Sequence, residues 1–80
     1  MKLTVVKEIV GKYNVEELSK AENDLLEEKE LSIHIDGDDE GEQLTHIIAA
    51  IWILNEMKEK NIPLPKALRS YTQRVRNSIS

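Results

Sequence analysis

The chain has 80 residues, no cysteine and a formal net charge of −4. Its length allows one domain, residues 1–80, with a core of marginal size, and the missing thiols exclude disulfide staples and thiolate metal sites. The overall acidity argues against phosphate-driven nucleic-acid binding, and the longest apolar run, Ile47 to Leu54, falls far short of the roughly 20 residues of a membrane span.

Met1 to Glu8 does not read as a signal peptide, because Lys7 and Glu8 interrupt its apolar stretch, and the chain reads as cytoplasmic. Leu3, Val6, Ile9, Val10 and Tyr13 recur at helical spacing and predict a first helix from about Lys2 to Lys12. Gly11 and Asn14 suit a break there. Asn14, with Glu17 three residues on, has the pattern of a capping box. It opens a second helix, about Val15 to Glu30, with Val15, Leu18, Ala21, Leu25 and Leu26 on one stripe and charge on the other side.

Leu31, Ile33 and Ile35 then alternate with Ser32, His34 and Asp36, the signature of a short strand or extended segment. Too short to form a sheet alone, it is expected to lie across the helices or to pair with its copy in a dimer. Asp36 to Gly41 is a turn, and Asp39 with Glu42 is placed to cap the next helix.

The third helix, about Glu42 to Lys60, is apolar on two sides. Leu44, Ile47, Ile48, Ile51 and Leu54 form one stripe, with Trp52 near its edge; Ala49, Ala50, Ile53 and Met57 lie opposite. A helix that is apolar all round must be covered all round. Three other short helices cover one face well and two with difficulty. The expectation is therefore a homodimer, with Ala49, Ala50, Ile53, Met57 and Trp52 at or near the contact. Asn61-Ile62-Pro63-Leu64-Pro65 ends this helix. Pro65 fits the first position of a fourth, running to about Ser78, whose stripe is Leu68, Tyr71, Val75 and Ile79. The predicted fold is all-α: a small bundle of four helices with a short extended segment between helices 2 and 3, dimeric.

Charge is segregated along the chain. Residues 16 to 42 hold 12 acids against Lys20 and Lys29, and residues 58 to 80 hold six Lys and Arg against Glu59. The two pools either neighbour each other, in the fold or across a dimer, or face a charged partner.

Motifs that carry chemistry are scarce. Asp36, Asp38 and Gly41 fall on EF-hand positions 1, 3 and 6, but position 12, where a bidentate Glu is needed, is Ile47. Glu42 and His46 share a helix face, yet two ligands do not close a zinc site. His46 reads as a buried or interfacial histidine. No serine or threonine sits in a nucleophile elbow, and Gly11, Gly37 and Gly41 match no phosphate-binding fingerprint. Lys66, Arg69, Gln73 and Arg76 form a basic face without an interleaved aromatic, which reads as a solvated surface.

Ala67-Leu68, Ser70, Gln73-Arg74-Val75 and Ser78-Ile79, together with Met1-Lys2-Leu3, resemble a family of short bacterial proteins classed only as a domain of unknown function. The likeness covers both ends and the helical plan; residues 30 to 42 match no pattern of that family. The resemblance implies a helical fold in a bacterial cytoplasm and transfers no catalytic residue. The functional expectation is a non-enzymatic module that self-associates and acts through a protein partner, with no cofactor. Two alternatives stand beside it: an acidic regulatory protein that binds a basic partner or mimics nucleic acid, and a small metal-binding protein.

Overall fold

Four helices form where the periodicity places them: α1 (Leu3–Lys12), α2 (Val15–Leu26), α3 (Glu40–Lys60) and α4 (Leu64–Ile79). The structure is a computed structural model that describes residues 1–79, with no strand among the described residues. The expected place of the Ile79 side chain on the α4 stripe lies outside what is described. The all-α, four-helix expectation is the architecture observed.

The helix ends follow from local chemistry. Asn14 Oδ1 accepts the Glu17 N–H at 2.8 Å and Glu17 Oε1 accepts the Asn14 N–H at 3.1 Å, the full capping box. Asp39 Oδ1 accepts the Glu42 N–H at 2.7 Å, while the Glu42 carboxylate reaches back one residue further, to the N–H of Asp38 at 3.0 Å. At the end of α3, Asn61 turns left-handed at φ 52° and the Ile62 N–H closes on the Met57 carbonyl at 3.2 Å.

α2 stops at Leu26, four residues before the expected Glu30. Glu28 adopts φ 59°, and its N–H and that of Lys29 close on the carbonyls of Leu25 and Asp24 in a Schellman arrangement. The reason is burial: after Leu26 the next apolar side chain is Leu31, so a further helical turn of Glu27 to Glu30 would bury nothing. Leu26 itself, expected on the buried stripe, is 64% exposed, and Leu3 on α1 is also exposed.

α3 is the centre. At 21 residues and a rise of about 1.5 Å per residue it matches the 32 Å long dimension of the molecule. It packs against each of the other three helices, and among the described residues those three show no close backbone approach to one another. The Leu31–Asp36 segment fills the remaining gap. Its alternation is kept, with Ile35 buried, Leu31 and Ile33 half-buried and Ser32, His34 and Asp36 exposed. No strand pairing holds it. Its carbonyls instead accept side-chain donors: Ile35 from Gln43 Nε2 at 2.9 Å, Asp36 from His46 Nδ1 at 2.8 Å and His34 from Tyr13 Oη at 3.4 Å.

This arrangement corrects the assignment of the two faces of α3. Ala49, Ala50 and Ile53 are fully buried within the single chain, joined by Val6, Ile9, Leu18, Ala21, Ile35, Ile47 and Ala67, and Met57 is half-buried against the same cluster. They are core, not contact surface. The sequence reading undercounts the available cover, because the 31–36 segment adds apolar area to that of the helices. What stays open is part of the other stripe: Ile48 is 47% exposed, with Leu44 and Ile51 half-buried beside it.

Candidate interaction surface

The open face of α3 lies between α2 and α4. On one side, Leu54 and Lys58 line a groove together with Val15 and Glu16 at the start of α2. On the other, Trp52 packs on Tyr71 of α4, ring centroids 5.5 Å apart and tilted 55°. At about 100° per residue, Leu54 and Lys58 sit roughly 120° and 80° to one side of Ile48, and Trp52 roughly 40° to the other. The fully buried His46 and Ile53 point away, roughly 140–160° from Ile48.

Trp52, expected at a contact, is half-buried and covered from within the chain. The Arg74 guanidinium lies 5.7 Å from its ring centroid, a cation–π placement that keeps a charge over an otherwise apolar edge. Burial pushes the neighbouring Tyr71 phenol above its ordinary value, and the positive charge of Arg74 draws it part of the way back.

The charge segregation survives folding. Ion pairs join Lys20 to Asp24, Lys29 to Glu27 and Lys60 to Glu56, all between near neighbours in sequence. Among the described residues none links the acidic stretch to α4. Lys66, Arg69, Arg74 and Arg76 are exposed, and α4 carries no acid at all. Among the described residues α2 and α4 flank α3 from separate sides, so the two pools do not neutralise each other inside the fold, which leaves a solvated surface, a contact across a dimer or a charged partner.

The candidate metal groups have other work. His46 is fully buried, with Nδ1–H donating to the Asp36 carbonyl and Nε2 accepting the Lys2 N–H at 2.9 Å, so both ring nitrogens are occupied by backbone. His34 is exposed and paired with Asp36 at 2.5 Å, and Glu42 faces the terminal amine at 3.9 Å. Among the described residues no group of three or more His, Cys, Asp or Glu is placed to hold a metal ion. Among the described residues no helix is long and apolar enough to cross a membrane.

Sequence reasoning missed the open seam because it treated the Leu44–Ile48–Ile51 side as the one a short bundle would cover first. The signal that would have found it is the 4-3-4 spacing of Leu44, Ile48, Ile51 and Asn55, the heptad pattern of a helix seam.

The model of a family of unknown function, DUF6952, matches residues 1–80, so the chain belongs to that family. No protein of curated function and no solved structure matches it.

Proposed function

We propose that this DUF6952 chain, whose family supplies no activity to inherit, is a non-enzymatic module that self-associates and works through protein–protein contact. One observation carries the reading: a central helix leaves an apolar strip open, and the helices on its two sides carry unneutralised charge of opposite sign. An exposed apolar strip rimmed by charge is the anatomy of an association surface. Self-association also supplies the extra burial that a chain of this size gains from little else.

Sedimentation equilibrium at micromolar concentration tests it. The expected result is a species heavier than the monomer that reverts to monomer in Ile48→Asp. A clean monomer for the unsubstituted chain over the whole concentration range sinks the proposal.

A second reading rests on the acids that α4 does not neutralise. The stretch Glu16 to Glu42 then serves as a regulatory surface for a basic partner. Capture of such a partner that persists unchanged in about 0.5 M salt counts against it, because exposed charge pairing is screened there.

A further inference from the structure

The open strip on α3 has a composition and spacing that say what covers it. We propose that its occupant is the same strip of a second copy, the two α3 helices lying parallel and in register about a two-fold axis that runs along the helices. This rests on the self-association reading and adds its geometry.

Leu44, Ile48, Ile51 and Asn55 recur at intervals of four, three and four residues, the a/d seam of a left-handed helix pair. Ile48 and Asn55 are exposed and Leu44 and Ile51 half-buried, so the whole seam is accessible from solvent. His46 and Ile53, which the same register puts on the far side, are the residues sealed into the chain's own core. One helix thus serves two cores through opposite faces.

Two independent features select the parallel arrangement. Asn55 occupies the last a position of the strip, with Ile51 and Trp52 before it and Lys58 and Glu59 after it. A lone asparagine there finds a matching amide only when the helices run parallel in register, so that each Asn55 meets its own copy. In an antiparallel pair centred on the seam it would face Leu44, an apolar side chain that offers its amide no partner.

The second feature is charge. α2 holds Glu16, Glu17, Glu22 and Asp24 against Lys20, whereas α4 holds Lys66, Arg69, Arg74 and Arg76 and no acid. The two helices flank the seam on opposite sides. A two-fold axis along α3 lays α2 of one copy over α4 of the other, acid on base. An axis across α3 lays α2 on α2 and α4 on α4, like on like, which repels. The seam residue and the flanking charges choose the same axis.

The chain contains no cysteine, so an introduced thiol reports on its own. Leu44→Cys is the decisive variant, since it leaves Asn55 in place at the seam. A disulfide needs Cα atoms about 4.4–6.8 Å apart. In the parallel pair two Leu44 positions meet that limit; in the antiparallel pair they stand roughly 16 Å apart along the axis, eleven residues at about 1.5 Å each. The expected result is a covalent Leu44→Cys dimer, formed at least about ten-fold faster than in an added Ile48→Asp background, where the thiols are no longer held at bonding distance. Circular dichroism equal to that of the unsubstituted chain verifies that each variant is folded.

A mixture of Asn55→Cys with Leu44→Cys that crosslinks while neither variant alone does so overturns the parallel geometry and leaves self-association standing. A dimer by sedimentation in which no seam cysteine crosslinks moves the contact elsewhere and overturns this proposal only. An unsubstituted chain that stays monomeric overturns both.

Discussion

His46 and Lys2 are 44 residues apart in sequence, yet the ring Nε2 of one accepts the backbone N–H of the other at 2.9 Å. With Nδ1–H donating to the Asp36 carbonyl at 2.8 Å, a single neutral imidazole fastens the entry of α1 and the end of the extended segment to α3. His46→Leu keeps the volume and removes both bonds. We expect a loss of about 0.5–1.5 kcal/mol for each bond removed, read as a lower urea midpoint with an unchanged slope.

The two apolar faces of α3 should respond to charge in opposite ways. Ile53 is fully buried, so Ile53→Asp places an unpaired carboxylate in the core and should unfold the chain. Ile48 is 47% exposed, so Ile48→Asp should keep the helical circular dichroism signal while abolishing association. If Ile48→Asp unfolds the chain as readily as Ile53→Asp, the description of that face as open is wrong.

Two glycines should respond in opposite directions to alanine. At Gly37 a Cβ would lie 2.8 Å from the backbone nitrogen of Gln43, which cannot move without disturbing the first turn of α3. Gly37→Ala should cost about 1–3 kcal/mol, as overpacking does. At Gly11, inside α1, the added methyl meets nothing within 4 Å. Gly11→Ala should stabilise by about 0.5–1 kcal/mol through helix propensity. Thermal melts of the two variants against the parent would separate the signs.

Glu28 ends α2 in the left-handed region at φ 59° with its side chain exposed. Strain there is about 1–2 kcal/mol for an L side chain, partly offset by the greater freedom of glycine in the unfolded chain. Glu28→Gly should therefore stabilise by about 0.5–1 kcal/mol. An unchanged or lower melting temperature would contradict this account of the helix end.

Tyr71 supplies a pH signature. Its phenol is held above the ordinary value by burial, so the folded state favours the neutral form. That contribution is complete below about pH 10, the unfolded value. It is lost as pH rises through the higher folded value. Stability should fall on the alkaline side, and Tyr71→Phe should flatten that part of the profile. Removing the Arg74 charge should push the phenol higher still, measurable by phenolate absorbance in a Tyr13→Phe background. A Tyr71 titration that moves down in Arg74→Ala would reverse the assigned role of that charge.

Local chemistry was legible without coordinates. Asn14 with Glu17, Asp39 with Glu42 and the breaks at Asn61 and Pro63 set helix starts and stops because caps and prolines act on backbone groups within a turn of themselves. The alternation of Leu31, Ile33 and Ile35 correctly gave a segment with one buried side. The expected α2 is too long because the run Glu27 to Glu30 favours helix by propensity, while the lack of anything to bury there depends on the neighbours in the fold.

The residues alone set four helical segments, their order, and a third helix with apolar stripes on two sides. Which face of that helix its own chain covers was decided by tertiary structure. Leu44, Ile48 and Ile51 are more hydrophobic than Ala49, Ala50 and Ile53, so composition ranks the two faces in the opposite order to the observed burial. Cover depends on where α1 and the 31–36 segment dock, and that is set by contacts such as His46 with Lys2 and Asp36, between groups distant along the chain.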